Sequence, residues 1–207
     1  MVLCVVLGYV IGSLPTAYLL VRWKSHVDIR NAGSGNVGTL NSLQVSHSWL
    51  VGGIVLVVDL LKGAAAAMVG AEVGGGSTLF AALGGVGGIL GHNYPVWLRF
   101  RGGRGLAPGA GAFLVVCRHI VPAWLILWLA GYALMRRVNP ANAFASAILL
   151  LVAVLVPSSV FEFLGMGADS VILRWFIVTM MGIILLRHLD PVKEFVAEKK
   201  QRRAGSC

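Results

Sequence analysis

Between residues 31 and 41 the chain reads Asn31-Ala32-Gly33-Ser34-Gly35-Asn36-Val37-Gly38-Thr39-Leu40-Asn41. Gly33, Gly35 and Gly38 leave backbone N–H groups open, and Ser34, Asn36 and Asn41 add short polar side chains. That is the chemistry of a phosphate cradle, although no Gly-Lys-Ser/Thr follows, so it is no Walker A loop. A flexible connector has a similar composition, and this stretch alone does not separate the two. A second patch runs Gly91-His92-Asn93-Tyr94-Pro95 and then Arg99-Phe100-Arg101-Gly102-Gly103-Arg104-Gly105. Guanidinium forks match phosphate oxygens. A loop that collected arginine for topology alone would not need Gly102, Gly103 and Gly105 between them. His92 reads as a brace for that loop. A third patch, Arg187-His188, closes an apolar run; a histidine there can serve as acid, base or donor to phosphate, or lie at an interface beside a topogenic arginine. Asp59 and Lys62 lie three apart inside another apolar run, on one helix face, and read as a structural ion pair.

These patches need elements that carry them, and composition sets the class. Of 207 residues, 57% are hydrophobic and only 12% charged, with mean hydropathy +0.84. Soluble domains carry about 25% charged residues, so a soluble enzyme and a disordered chain are both excluded. An all-α polytopic membrane protein remains, with 27 glycines available for close helix packing. A span needs about 20 apolar residues. Seven runs qualify or nearly so: 1–23, 49–70, 78–98, a short one at 106–117, 120–135 (where Pro122 interrupts), 141–163 and 170–187. The absence of a basic start or cleavage site makes the first a retained helix.

The net charge of +9 is distributed by topology. Fourteen of the 17 Lys and Arg fall in alternate loops and the tail: Arg22, Lys24 and Arg30; Arg99, Arg101 and Arg104; Arg136 and Arg137; Arg187, Lys193, Lys199, Lys200, Arg202 and Arg203. The positive-inside bias makes that side cytoplasmic, with the N-terminus outside and the C-terminus inside, in a plasma (inner) membrane. Nucleic-acid binding is not needed to explain the charge, and Lys199-Lys200-Gln201-Arg202-Arg203 suits anionic lipid. Cys4, Cys117 and Cys207 are too scattered for a disulfide framework or a metal site. No repeat or soluble segment appears, so residues 1–207 form one domain. All the unusual polar sequence lies on the cytoplasmic side, which implies a site there for a phosphorylated substrate and a lipidic second substrate. No carboxylate pair, metal cluster or Ser-His-Asp pattern is visible; catalysis by positioning and charge stabilisation, without metal or cofactor, is expected.

Taken together, the patches resemble the bacterial integral-membrane acyl-phosphate:glycerol-3-phosphate acyltransferases. The likeness runs from Gly12-Ser13-Leu14-Pro15 and Asp28-Ile29-Arg30 through Gly33 to Gly38 and Asn41, then Asp59-Leu60-Leu61-Lys62-Gly63. It continues through Gly91 to Pro95 and Phe100 to Gly105, and ends at Arg187-His188. The resemblance implies seven helices, a cytoplasmic site, and acyl transfer from acyl phosphate to the 1-hydroxyl of glycerol 3-phosphate, giving lysophosphatidate and phosphate. By that likeness Ser34, Asn36, Arg104 and His188 are catalytic. Gly33, Gly35, Gly38, Asn41, Arg101, Gly102, Gly103, Gly105, Asn139 and Arg187 bind substrate, and Asp59, Lys62 and His92 are structural.

The chain departs from the family at several polar positions. Thr39-Leu40 stands where the family has Ala-Thr, Gln44 replaces an arginine, and Arg104 a phosphate-binding lysine. Pro108 replaces a threonine and Pro191 an asparagine, and the family's serine near the sixth span becomes Asn139 or Asn142. Arg99 or Arg101 is the expected substitute for the missing arginine. Acylation of a different acceptor, or a catalytically weak protein that binds lipid phosphate, are the alternatives. Transport is disfavoured because no repeat is seen.

Overall fold

The structure is a computed structural model, described here for residues 1–162 and 169–204. Every regular element among them is helical. In chain order they are α1 (Val2–Gly12), α2 (Thr16–Ser25), α3 (Thr39–Ser46), α4 (Trp49–Val73), α5 (Thr78–Asn93) and α6 (Leu106–Val116). They continue with α7 (Ile120–Met135), α8 (Val138–Leu155), the single turn α9 (Ser158–Phe161), α10 (Ser170–Leu186) and α11 (Leu189–Ala204). Short 3₁₀ turns at Ile29–Asn31 and Val96–Leu98 sit inside the two glycine-rich loops.

On length and composition, three spans can cross a membrane: Val2–Ser25 counted across its break, Trp49–Val73 and Val138–Leu155. The pair Ser170–Leu186 and Leu189–Gln201, bent by 53°, makes a fourth. Leu106–Val116 and Ile120–Met135 are apolar but shorter. Several expected boundaries move. The first run is two helices, because Pro15 lacks the N–H that would continue the ladder. The third run stops at Asn93, ahead of Pro95, and not at residue 98. The sixth starts at Val138 and ends at Leu155; residue 163, where its expected end lay, is outside the described residues, as is Cys207.

Pro122 does not interrupt the fifth run. It is the third residue of α7, just as Pro108 is the third of α6, Pro140 of α8 and Pro191 of α11. First-turn N–H groups have no partner within the helix, so proline costs no hydrogen bond there.

Glycine allows the central helices to touch backbone to backbone. Gly8 and Gly12 of α1 face the carbonyls of Gly84 and Gly88 on α5. Gly84 in turn meets the Ala66 carbonyl of α4, and α4 and α6 meet through Gly63 against Pro108 and Gly111 against Leu60. A side chain at Gly8, Gly12, Gly63, Gly84 or Gly111 would overlap the facing backbone. The other half of the core is ordinary apolar packing among α6, α8 and α10, with the Phe113 and Phe176 rings 5.0 Å apart above Met180 and Ile184. Trp49, Leu134, Leu155 and Leu129 point outward. Such an apolar exterior suits hydrocarbon and not water.

The break between α1 and α2 is held by the expected ion pair. Lys62 Nζ on α4 lies 2.9 Å from Asp59 Oδ1 and donates to the Leu14 carbonyl at 3.0 Å. The contact with Asp59 is ionic and lacks hydrogen-bond alignment. The Leu14 carbonyl also accepts the Thr16 N–H at 3.0 Å, so the lysine reinforces the turn at the break while the aspartate balances its charge.

Candidate active site

The first loop is organised by Asn41. Its Oδ1 accepts the Ser34 N–H at 2.9 Å, and its Nδ2 lies within donor reach of the carbonyls of Asn36 (2.9 Å), Ala32 (3.1 Å) and Ile29 (3.3 Å). Gly33, at φ +57°, presses on the same amide, so a side chain there would displace it. Asn41 is therefore spent on shaping the loop. Ser34 and Gly33 ride its exposed crest, while Asn36, Gly38 and Thr39 face inward. The start of α3 has no side-chain cap, and its cap residue Gly38 and first residue Thr39 line the cavity.

Arginines tie this loop to the second. Asp28 takes the Arg30 backbone N–H and guanidinium, and that guanidinium holds the Asp28 carboxyl at about 2. Arg30 also reaches the Leu98 carbonyl, and Arg101 donates to the Arg30 carbonyl at 3.1 Å. Arg101 is thus a cross-tie at the surface, and it does not line the cavity.

The second loop is clamped on both sides. The N–H groups of Gly102 and Gly103 donate to the Asn93 and His92 carbonyls. Arg187 donates back to the Gly103 and Gly102 carbonyls at 3.0 and 3.2 Å, with its guanidinium over the Tyr94 ring. A Cβ at Gly103 would overlap the His92 ring, and one at Gly102 the His92 carbonyl. Gly105, at φ +83°, then turns the chain into α6. With its neighbours fixed, Arg104 projects into the interior and donates to Asn139 Oδ1 at 2.7 Å. Burial, then the charge of Arg187, draws the Arg104 guanidinium down from its ordinary value. Among the described residues no carboxylate pairs with it directly.

His188 sits between α10 and α11, fully shielded. Its Nδ1 lies 2.8 Å from the Ile184 carbonyl, which can only accept, so Nδ1 carries the proton and Nε2 keeps its lone pair. Asn142 Nδ2 approaches Nε2 at 3.5 Å. Burial pushes the ring down to about 4, with Arg104 and Arg187 pushing the same way against the Ile184 carbonyl. The fold therefore prefers the neutral ring, while the unfolded chain takes up a proton below about pH 6.5. Stability should fall as pH drops through the interval from about 6.5 towards 4, and His188→Gln should remove that part of the dependence. Thermal unfolding of both proteins across the interval checks this; parallel curves would assign the acid sensitivity elsewhere.

These elements enclose a cavity of about 500 Å³. Asn36, Gly38, Arg104, Gly105, Asn139 and His188 line its polar part, with Asp59 and His92 also reaching it. Thr39, of the altered Thr39-Leu40 pair, lies in the lining. Asn142 lines the cavity alongside Asn139, so both candidates for the serine position are present. Trp124 and Trp128 went unread because tryptophan on an apolar helix is ordinary core. Beyond them an apolar slot of about 100 Å³ runs between α6, α7 and α10, sharing Leu106, Ala110, Trp124 and Leu125 with the cavity.

The chain matches the glycerol-3-phosphate acyltransferase family over residues 2–198. It is 32% identical to the glycerol-3-phosphate acyltransferase of Mesorhizobium japonicum, over 95% of this chain and 93% of that one. It is 38% identical to glycerol-3-phosphate acyltransferase 2 of Moorella thermoacetica, over 70% and 74%. Its fold is similar to crystal structures of PlsY (YgiH), an integral membrane glycerol 3-phosphate acyltransferase. The glycerol 3-phosphate form gives a TM-score of 0.76 at 26% identity, covering 95% of this chain and 92% of that one. The lysophosphatidic acid form gives 0.76 at 25% with the same coverage. Matched along almost its whole length, this protein belongs to the glycerol-3-phosphate acyltransferase family.

Proposed function

We propose that this glycerol-3-phosphate acyltransferase takes its fatty acyl group from acyl phosphate and moves it to the 1-hydroxyl of glycerol 3-phosphate, at the start of phospholipid synthesis. The observation that carries the reading is a cavity with a polar end around Arg104 that continues into an apolar slot. An acyl phosphate has that polarity: a dianionic head for Arg104 and the start of α3, and a chain for the slot beside Trp124 and Phe113. The glycerol hydroxyl oxygen attacks the acyl carbon, the acyl–phosphate C–O bond breaks, and inorganic phosphate leaves with the bonding pair. The hydroxyl proton passes to a substrate phosphate oxygen, since His188 is held near 4 and is better suited to accept and orient the hydroxyl at Nε2. Arg104 stabilises the charge that develops on the departing phosphate.

The site residues divide by role in this reading. Asn36, Gly38, Arg104, Gly105, Asn139 and His188 meet substrate, with Ser34 at the loop crest. Gly33, Gly35, Asn41, Arg101, Gly102, Gly103 and Arg187 shape the loops that present them. The chain forms one domain and spans the membrane seven times, counting α1 with α2, then α4, α5, α6, α7, α8 and α10. Arg30, Arg101, Arg104, Arg137 and Arg187 all gather around the cavity end. By the positive-inside bias that end faces the cytoplasm, with the N-terminus outside and the C-terminus inside.

Phosphate release from palmitoyl phosphate by the purified protein, with and without glycerol 3-phosphate, tests this. Release that needs glycerol 3-phosphate and yields lysophosphatidate is expected. Equal release without the acceptor, or lysophosphatidate formed equally well from palmitoyl-coenzyme A, would sink the proposed donor and acceptor pairing.

A further inference from the structure

Beside the main cavity lies a second, more polar cleft of about 260 Å³. The two spaces have Leu40, Val138 and Asn139 in common. Gln44 and Pro191 also line the cleft, so three positions that depart from the family stand together around it. The cation of this cleft comes from elsewhere in the chain. It is Arg137, the residue just before α8, paired with Glu198 of α11 at 3.0 Å; Glu194, one turn earlier on α11, also lines the cleft.

The pair is half exposed on each side, 52% and 52%. An exposed ion pair is screened by water and held weakly. A phosphate dianion offers Arg137 twice the charge of a carboxylate and a matching pair of oxygens. Two residues along the chain, Asn139 already holds Arg104 from within the cavity. Two guanidinium groups therefore flank the place where the spaces meet, one from each. The apolar slot leaves the cavity on the α6, α7 and α10 side, away from the cleft on the α3, α8 and α11 side. The lipid chain of the donor takes the first direction, which leaves the second for the water-soluble substrate.

Resting on the donor and acceptor reading above, we propose that Arg137 is a binding residue for the phosphate of glycerol 3-phosphate. Glu198 holds it when the acceptor is absent and yields it when the acceptor arrives. Arg137 does the work that the sequence led one to expect of Arg99 or Arg101, of which Arg101 is engaged by the Arg30 carbonyl.

The competing role is a fixed brace that ties α11 to the start of α8. A brace and a latch predict different signs. Arg137→Ala should raise the KM for glycerol 3-phosphate about tenfold, the loss of a charge-assisted hydrogen bond. Glu198→Gln should lower it about two- to threefold, because a screened competitor has gone. The KM for palmitoyl phosphate should not move in either. Calorimetric binding of glycerol 3-phosphate to the same three proteins makes the comparison without turnover, so it stands even if the donor proves to be something other than acyl phosphate. Glycerol 3-phosphate affinity that falls in both variants would establish the brace and overturn the proposal. So would an affinity unchanged in Arg137→Ala, or a shift confined to palmitoyl phosphate. Acceptor-independent phosphate release by the wild type, with the opposite-sign affinity changes intact, would count against the donor reading and not against Arg137.

Discussion

Arg104→Ala should lower kcat/KM by about 100-fold or more while leaving the fold intact. Removing one preorganised donor to developing charge costs on the order of 10²–10³ in rate, and Arg104 is the cation that lines the main cavity. Its present partner is the neutral Asn139 Oδ1 at 2.7 Å, and no carboxylate among the described residues pairs with it directly. A half-buried guanidinium held by an amide oxygen is poised for an anion. The loop around it is fixed by backbone bonds from Gly102 and Gly103 and by Arg187, none of which uses the Arg104 side chain. The truncation therefore subtracts the charge without loosening the loop. Arg104→Lys keeps a point charge and loses the fork, so it should recover activity to within about tenfold of wild type. Steady-state kinetics with each substrate varied in turn checks both. An Arg104→Ala enzyme with kcat/KM within a few-fold of wild type would remove Arg104 from the site.

Lys62→Met should be the most destabilising single change, by about 3–5 kcal/mol, the cost of leaving a buried charge without its partner. Lys62 is 6% exposed and Asp59 2%. The substitution strands the Asp59 carboxylate and takes one of two donors from the Leu14 carbonyl, which keeps the Thr16 N–H. Replacing both members, Asp59→Leu with Lys62→Met, removes the orphaned charge and should be less destabilised than Lys62→Met alone. The Leu14 carbonyl then keeps the Thr16 N–H as its donor. Thermal unfolding in detergent, compared across the single and double variants, decides it. A double variant that melts below Lys62→Met would mean that the pair is more than a structural balance of charge.

Much of the candidate site was legible because its signals are local. Gly33 and Gly105 are glycines at positive φ, and a side chain at Gly33 or Gly103 would strike a neighbour already in place. The division of labour among the polar residues was not legible. Asn41 and Asn36 lie five apart in one loop and look alike, yet one is consumed by four backbone groups and the other faces the cavity. Arg101, Arg104 and Arg187 are three guanidiniums with three fates: a surface tie, a cavity cation and a clamp on glycines 84 and 85 residues earlier. The four third-position prolines show the converse. Pro122 looked like an interruption because its place in the helix depends on where the helix starts, and that start is set by the turns and packing around it.

By itself, then, the amino-acid sequence determined that this chain is helical and membrane-embedded. It also marked two glycine-rich loops and the Arg187-His188 pair as the places where polar chemistry gathers. Hydropathy, charge placement and glycine content act over a few neighbouring residues, so they are readable in one dimension. Only the tertiary structure decided that the cavity belongs to Asn36, Arg104, Asn139 and His188, and that Arg137 stands in the adjoining cleft. A polar side chain goes to whichever donor or acceptor packing brings within reach. For Arg104 and Asn139 that partner lies 35 residues away, across a helix contact that no local pattern encodes.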